Sequence, residues 1–182
     1  GLTVGSDKTL RYDGQRFRNI GLNYGWGICQ IYSATAPEVC PYTPSADQDA
    51  MLDIAVSMKV KVIRVKSFPY WPSWWTAGVL AGKSVAAATE ADREAHYLKI
   101  DAFIAKCRAR GIGVILNLFF RHTTPSDLCA QTNRAGWLTA GSATRNFVQA
   151  VTQEVVTRYL AEEAVFGYEW SNEVNHRNDA SD

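Results

Sequence analysis

Glu173 is the residue of this sequence best placed to perform acid–base chemistry. It comes just after an apolar, strand-like segment at residues 165–170, and Asn172 stands directly beside it. A carboxylate at the carboxyl end of a buried parallel strand points into the mouth of an α/β barrel, where a neighbouring amide can hydrogen-bond a hydroxyl group. An Asn-Glu pair is common in proteins, so an ordinary loop carboxylate is the alternative interpretation.

A second candidate is Arg64, which interrupts an otherwise apolar strand at residues 60–65. A buried guanidinium needs a partner because an unpaired interior charge is costly. The structural interpretation of Arg64 is therefore a salt bridge, with Glu169 as the candidate carboxylate. Asn23 and His122 also follow predicted strands, and each is weak evidence of a site when taken alone.

Aromatic residues are concentrated in the loop after the second predicted strand. The chain is 12% aromatic with six Trp and eight Tyr, and this loop holds Phe68, Tyr70, Trp71, Trp74 and Trp75. So many rings cannot all enter one core from one loop, and flat aromatic faces suit the apolar faces of sugar rings. The alternative is a loop that packs over a helix.

The elements that must position these residues form a regular series. A hairpin at residues 10–17 turns at Asp13-Gly14 and is followed by a short strand at residues 18–23. Further strands are predicted at residues 60–65, 113–119 and 165–170 from their apolar and β-branched content. Helices are predicted from residue 45, where Ser45 is the expected N-cap, and over about 90–110 and 142–162; Gly111 ends the second of them.

This order predicts one α/β domain over residues 1–182. Strands that are apolar on both faces and alternate with amphipathic helices pair in parallel. The loops after the strands are long and the loops before them are short, which in a barrel marks the carboxyl ends of the strands as the functional face. An open doubly wound sheet is the alternative, but no glycine-rich phosphate turn follows any strand.

Composition limits the partners. The chain has 182 residues, 19 Lys+Arg, 18 Asp+Glu and a net charge of +1, with 47% hydrophobic and 20% charged residues. These values exclude a disordered, collagen-like or coiled-coil protein. No apolar run approaches a membrane span, and the balanced charge gives no reason to expect nucleic acid or a membrane as a partner.

The four cysteines predict no metal site. Cys29, Cys40, Cys107 and Cys129 form no CxxC pair, so zinc is not expected, and neither is an organic cofactor. Cys29 and Cys40 flank a short loop that is compatible with a disulfide or with two thiols, and a disulfide would favour export. The chain begins Gly1-Leu2-Thr3 without a signal peptide, as a mature or cut chain would, and we expect a secreted protein.

Several motifs together resemble a known family. The series is DG…FRNIGLNY at residues 13–24, VIR at 62–64, GIGVILNL at 111–118 and FGYEWSNE at 166–173. In this order they resemble clan A glycoside hydrolases, and within that clan the family 5 cellulases and mannanases. The resemblance implies a TIM-type (β/α) barrel and a retaining hydrolase in which Glu173 is the general acid/base. It further implies that Asn172 contacts the sugar 2-hydroxyl and that Arg64 holds the carboxylate of the nucleophile.

The expected substrate is a β-linked polysaccharide or oligosaccharide. Its binding residues are predicted from strand ends, the aromatic loop and the last strand: Asn23, Trp71, Trp74, Trp75, His122 and Trp170.

Three departures from the family pattern bear on catalysis. Val174 stands where the family usually has Pro, and Phe119 stands where many members have His. The nucleophile of the family is a second Glu after strand seven, whereas this sequence ends nine residues after Glu173. A retaining enzyme needs two carboxylates about 5–5.5 Å apart, and Glu169 would lie ~13 Å lower on the strand. Asp127 and Asp179 lie in predicted loops, and nothing supports either as the partner.

The spacing of the strands predicts half of a barrel. Their centres lie near residues 20, 62, 115 and 168, about 49 residues per unit, so eight units would need roughly 400 residues. The chain is then a fragment, a half barrel completed by a second copy, or a monomeric remnant. We expect the homodimer, with the second carboxylate supplied by the partner or by a missing segment. A catalytically inactive half barrel that binds carbohydrate is the alternative function.

Overall fold

The chain opens with a small antiparallel sheet. In the computed structural model, which describes residues 2–30 and 42–172, β1 (Leu2–Val4) pairs with β2 (Leu10–Tyr12), and β2 pairs with β3 (Gln15–Arg16). Asp13 and Gly14 form the turn between β2 and β3, both with positive φ. The predicted hairpin is confirmed, and β1 adds a third strand that the sequence pattern did not predict.

A four-stranded parallel sheet follows and carries the rest of the fold. Its strands are β4 (Ile20–Asn23), β5 (Val60–Lys66), β6 (Gly113–Phe119) and β7 (Val165–Ser171), in the spatial order β4-β5-β6-β7. The long helices between them are α1 (Ser45–Ser57), α3 (Glu90–Ala109) and α6 (Ala143–Arg158). Shorter elements are α2 (Pro72–Trp74), a π-turn at Trp75–Val79, α4 (Thr124–Leu128) and α5 (Asn133–Leu138). The predicted alternation of parallel strands and helices, a partial α/β barrel, is confirmed.

The core lies between this sheet and its long helices. Apolar side chains of the two central strands are buried together with side chains of α3 and α6, and Ile63, Leu116, Ile100 and Val151 are all 0% exposed. Cys107 belongs to the same core, as predicted, and its burial raises the thiol pKa to about 12. Apolar burial of this kind contributes about 25 cal/mol per Å² removed from water, so the packed helices hold the sheet rigid.

Ion pairs fasten α3 to α6. Arg93 of α3 donates through Nε and Nη2 to both carboxylate oxygens of Glu154, at 2.7 and 2.5 Å, and Tyr97 donates to the same carboxylate at 2.5 Å. The two charged side chains are only 5% and 13% exposed. A two-point pair at this depth fixes the relative position of the helices that support β5 and β6.

Two of the three long helices begin with a capping arrangement that is local in sequence. Thr89 and Asp92 form a capping box at the start of α3, and the Ser142 hydroxyl accepts from the backbone N–H of Arg145 at the start of α6. The prediction that Ser45 caps α1 is wrong. The N-cap position belongs to Pro44, and the Ser45 hydroxyl instead accepts a hydrogen bond from the Lys106 ammonium at 2.7 Å.

The third long helix is shorter than predicted. It ends at Arg158 rather than near Glu162, and Leu160, predicted in its apolar stripe, is 80% exposed. Glu162 accepts from the backbone N–H of Ala164 at 3.0 Å and pairs with Arg108, so a fixed turn replaces the last helical residues. In α1, Leu52 and Ala55 are buried whereas Ile54 and Val56, with Met58 at the C-cap, are 45–55% exposed.

An aromatic cluster closes the amino-terminal end of the sheet. Tyr12 and Phe17 of the hairpin lie 5.3 and 5.8 Å from the ring of Phe166, measured between ring centroids. A Cβ on Gly113 would approach a carbon of the Phe166 ring at 2.3 Å, so this ring requires glycine on the neighbouring strand. The hairpin therefore covers the end of the sheet opposite to the carboxyl ends of the strands.

Both outer strands keep apolar side chains in solvent. Within the part of the chain that the structure describes, β4 pairs only with β5 and β7 only with β6. Ile20 is 61% exposed, and Tyr168 and Trp170 are 38% and 40% exposed. No helix in the described ranges is long and apolar enough to cross a bilayer. Cys40 lies outside the described residues, so a disulfide with Cys29 and two free thiols stay alternative interpretations of the sequence.

Candidate active site

Polar residues meet at the carboxyl ends of the four parallel strands. Asn23 ends β4, Arg64 lies opposite it on β5, and Asn117 of β6 lies opposite Glu169 of β7. Asn172 follows immediately after β7. Every strand of the sheet thus contributes one member, as the topology of parallel strands predicts for a functional face.

The Arg64 guanidinium is the centre of this cluster. Its Nε donates to Glu169 Oε2 at 2.5 Å, its Nη2 donates to Asn172 Oδ1 at 2.9 Å, and its Nη1 donates to Asn23 Oδ1 at 3.3 Å. The guanidinium carbon also lies 5.5 Å from the centroid of the Phe120 ring. The ion pair with Glu169 is the structural role that the sequence offered for Arg64, and the bond to Asn172 adds a contact with a predicted site residue.

Asn117 fixes the Glu169 carboxylate from the other side. Its side chain is fully buried, and its Nδ2 donates to Glu169 Oε2 at 2.7 Å, the same oxygen that Arg64 engages. The Oδ1 atom of Asn117 has no hydrogen-bond partner among the residues that the structure describes. A flipped amide would turn that oxygen towards the carboxylate, so the observed orientation is set by the need to donate to Glu169.

The amide of Asn172 is likewise oriented by its neighbour. Because its oxygen accepts from Arg64, its NH₂ group must face away from the guanidinium. Within the described residues no other side chain bonds to this amide. The two N–H donors are therefore available to an acceptor such as a hydroxyl group.

Glu173, the predicted general acid/base, lies outside the described residues. Its place in the chain, directly after Asn172, is the position from which the sequence derives its role, and that role stays a prediction. The catalytic roles of Asn172 and Arg64 are predictions as well, although the structure brings these two side chains together.

A cavity opens beside the cluster. It has a volume of about 510 Å³, and its wall includes Asn23 of the cluster and the Phe120 ring. Tyr24, Trp26, Asp47 and Met51 are also among its lining residues. Trp26 is 44% exposed there. Burial, with a smaller contribution from the charge of Asp47, raises the pKa of Tyr24 above its usual value.

Trp26 was missed by the sequence reasoning, although a signal was present. It lies in the sequence Tyr24-Gly25-Trp26-Gly27, directly after the first parallel strand. An aromatic side chain between glycines at the carboxyl end of a strand is a candidate for ligand contact because such loops form the functional face. Lys66 was missed too; it ends β5 opposite Asn117 and is 1% exposed.

A second aromatic surface surrounds Trp71, which is 43% exposed. Its ring packs edge-on against Tyr70 at 4.7 Å, and the Arg121 guanidinium lies 5.4 Å from its centroid. Tyr70 lies 6.1 Å from the ring of Phe120, which links this surface to the Arg64 cluster. Trp71 is therefore partly accessible from solvent, and its substrate-binding role stays a prediction.

Trp74 and Trp75 need a correction. Both were predicted as substrate-binding residues, but each is only 1% exposed. Trp75 stacks on Phe68 at 4.7 Å, and its Nε1 donates to the backbone oxygen of Pro69 at 2.8 Å. These rings hold the loop onto the helical side of the sheet, as the alternative interpretation of the aromatic loop proposed, and offer no face to a ligand.

Two further candidates lie apart from the Arg64 cluster. The Trp170 ring packs edge-on against Trp137 at 4.5 Å. Because side chains alternate along a strand, Trp170 points to the face opposite to that of Glu169. His122 is half-buried in the loop after β6, where its backbone oxygen accepts from Trp137 Nε1 at 3.2 Å. Neither is among the side chains that bond to Arg64.

No cluster of three or more His, Cys, Asp or Glu side chains suited to a metal ion occurs in the described ranges. The arrangement is one of hydrogen-bond donors, one ion pair and exposed aromatic faces. Such a surface can bind and orient a neutral polyhydroxylated ligand and can support proton transfer by an adjacent carboxylate.

Comparison with known proteins gives a consistent result. The model of the cellulase family, glycosyl hydrolase family 5, matches residues 27–182. No curated protein sequence matches the chain.

Solved structures with a similar fold include three glycoside hydrolases. The endo-1,4-β-mannanase from Rhizomucor miehei has 14% identity and a TM-score of 0.59, over 91% of this chain and 46% of that one. A glycoside hydrolase family 5 protein from Bacteroides vulgatus has 13% identity and a TM-score of 0.61, over 92% and 32%. The endo-β-1,4-mannanase from Thermotoga petrophila has 20% identity and a TM-score of 0.57, over 89% and 36%. The chain thus spans less than half the length of these structures.

Proposed function

Because this chain belongs to glycosyl hydrolase family 5, the cellulase family, we propose that it takes part in hydrolysing a β-linked polysaccharide or oligosaccharide, with Glu173 as general acid/base. The observation that carries the proposal is the orientation of Asn172. The Arg64 bond to its oxygen turns its NH₂ group away from the guanidinium, one residue before Glu173, so its N–H groups can donate to a sugar hydroxyl.

The proposed chemistry divides between these neighbours. Asn172 donates to a hydroxyl of the sugar at the cleavage position, and Glu173 protonates the glycosidic oxygen as the bond to the leaving sugar breaks. General acid–base catalysis of this kind contributes about 10²- to 10⁴-fold to the rate. Arg64 holds the Asn172 amide in place throughout.

Binding of the polymer is proposed to use the two exposed aromatic surfaces. Trp26 in the cavity wall and Trp71 beside Tyr70 are 44% and 43% exposed, and Phe120 lies between the Arg64 cluster and Tyr70. Ring faces bind gluco- and manno-configured chains through the same apolar contacts, so cellulose-type and mannan-type polymers are both candidate substrates.

A second carboxylate is required, and we propose that a second copy of the chain supplies it. Glu169 is unsuited to this role because its Oε2 already accepts from both Arg64 and Asn117. The outer strands leave Ile20 and Trp170 exposed, and a copy related by two-fold symmetry would cover them while closing an eight-stranded barrel. The separation of the two carboxylates would then set a retaining outcome at about 5–5.5 Å or an inverting one at about 6.5–9.5 Å.

The test of the reaction is release of reducing sugar from β-mannan and from a soluble cellulose derivative. Glu173→Gln is expected to lower the rate by at least 10²-fold. Glu162→Gln is the matched control, because Glu162 is a carboxylate that pairs with Arg108 and lies in the turn before β7, apart from the Arg64 cluster. Equal rates for Glu173→Gln and the unmodified protein would exclude the proposed role. Oligosaccharide binding without hydrolysis in both would favour the non-catalytic alternative.

The test of assembly is sedimentation at micromolar concentration. The unmodified chain is expected to be a dimer, and Ile20→Asp, which places a charge on an outer strand, is expected to shift it to monomer. Lys59→Asp is a suitable control, because it introduces the same charge in the turn before β5. A monomer for the unmodified chain would contradict the proposal that a second copy completes the sheet.

A further inference from the structure

We infer that Glu169 and Asn117 are positioning residues that set the amide orientation of Asn172 through Arg64. The connection is continuous: Asn117 Nδ2 donates to Glu169 Oε2 at 2.7 Å, Arg64 Nε donates to the same oxygen at 2.5 Å, and Arg64 Nη2 donates to Asn172 Oδ1 at 2.9 Å. Its bearing on catalysis rests on the proposed function of Asn172.

The geometry of the guanidinium explains why Glu169 controls Asn172. The group is planar and its N–H bonds have fixed directions, so a bond at Nε sets the direction in which Nη2 donates. The Arg64 side chain is 19% exposed and Glu169 39%, so water competes for both groups. Without the carboxylate, Nε loses its bond, the guanidinium keeps only the 3.3 Å bond to Asn23 beside Asn172 and is free to rotate towards solvent, and the Asn172 oxygen loses its fixed donor.

Asn117 supplies the rigid end of this connection. It is 0% exposed on a central strand, and its amide is oriented so that Nδ2 meets Glu169 while the buried Oδ1 has no hydrogen-bond partner among residues 2–30 and 42–172. Leaving a buried acceptor without a partner is unfavourable. The side chain keeps this arrangement because the alternative would set an amide oxygen against a carboxylate. The Nδ2 donor of Asn117 therefore fixes the position of Glu169 Oε2.

The first test observes the connection directly and requires no activity. In ¹H–¹⁵N spectra of the ligand-free protein, the Nε–H of Arg64 and the side-chain NH₂ of Asn172 are assigned by loss of signal in Arg64→Lys and Asn172→Ala. Glu169→Gln is expected to shift both signals, whereas the control Glu162→Gln leaves both unchanged. An unchanged Asn172 signal in a folded Glu169→Gln protein would overturn the inference, whatever the outcome for the proposed function.

The second test uses a pH signature that a general loss of stability would not produce. Asn117→Asp keeps the shape of the side chain but sets a second carboxylate against Glu169. When both are ionised they repel, whereas a protonated Asp at this position again donates to Glu169. The Asn172 signal is expected to approach its original position on acidification in this variant. A shift that does not reverse with pH would contradict the role given to Asn117.

The third test joins the connection to the reaction. A misplaced positioning group costs on the order of 10²-fold in rate, so Glu169→Gln is expected to lower kcat by about that factor with little change in KM. In the Asn172→Ala background the same substitution is expected to have little further effect, because both changes remove one interaction. If the losses of kcat from Glu169→Gln and Asn172→Ala add in the double variant, Glu169 does not act through Asn172. An unmodified protein without hydrolysis or binding would refute the proposed function and leave the spectroscopic result standing.

Discussion

Acid is expected to destabilise this fold through one buried histidine. His96 of α3 is fully buried, its Nε2 lies 2.8 Å from the backbone oxygen of Ser67, and its Nδ1 lies 2.9 Å from the Tyr42 hydroxyl. Since a carbonyl only accepts, Nε2 carries the proton and Nδ1 accepts from Tyr42, which describes a neutral ring. Burial lowers the pKa of His96 from 6.5 to about 4, opposed by the bond to Ser67.

The magnitude follows from this shift. In the unfolded chain His96 binds a proton below about pH 6.5, whereas in the folded protein the same ring resists protonation until about pH 4. Stability is therefore full above pH 6.5 and falls progressively as the pH drops to 4. At about 1.4 kcal/mol per pKa unit, the loss attributable to His96 is on the order of 3 kcal/mol. Lys99, over the Tyr42 ring at 5.4 Å, adds a positive charge nearby.

The assay is denaturant unfolding between pH 7 and pH 4, with the free energy of unfolding compared between the original protein and His96→Gln. Because glutamine does not titrate, the free energy of unfolding of His96→Gln is expected to fall by about 3 kcal/mol less than that of the original protein between pH 7 and pH 4. Phe103→Leu, a change of another fully buried side chain, serves as the control for destabilisation without titration and should parallel the original protein. A His96→Gln curve parallel to the original would refute the reasoning.

Three further outcomes are expected from other parts of the molecule. Trp71→Ala should weaken oligosaccharide binding about 2- to 10-fold in calorimetry with little change in stability, whereas Trp75→Ala should cost about 3–5 kcal/mol in denaturant unfolding. Arg93→Met should destabilise by about 3–5 kcal/mol because it leaves Glu154 buried without its cation, and adding Glu154→Leu should restore part of the loss. Gly113→Ala should destabilise by about 1–3 kcal/mol, since its Cβ would meet a ring of β7 at 2.3 Å; an unchanged unfolding midpoint would contradict this.

The order of strands and helices was predictable because local patterns and tertiary packing agree there. β6 has the predicted bounds, Gly113–Phe119, and Gly111 has the positive φ expected after the end of α3. The local prediction was wrong where a side chain distant in sequence makes the deciding contact. Ser45 has the composition of an N-cap, but Lys106, 61 residues away, binds its hydroxyl. No pattern local to α1 contains that contact.

The candidate site shows a similar division. The partner of Arg64 was predictable, because a charge inside an apolar strand must be neutralised and Glu169 is the carboxylate on a nearby strand. Asn117 was not, since an asparagine within a buried strand gives no signal until strand register sets it opposite Glu169. Trp71 and Trp75 lie four residues apart and have similar local sequence. Trp71 is 43% exposed and Trp75 is 1% exposed, and the helix that packs beneath the loop sets this difference.

The outer strands connect stability to the proposed reaction. Leu116 of β6 and Tyr168 of β7 are opposite each other in the sheet, yet Leu116 is 0% exposed and Tyr168 is 38% exposed. The difference arises because helices cover the central strands but leave the outer face of β7 open. In the proposed homodimer, the partner that supplies the second carboxylate lies beside β7 or β4 and removes this apolar surface from water. Completion of the active site and burial of the outer strands are therefore expected to occur in one step, with specific activity and dimerisation rising over the same range of protein concentration.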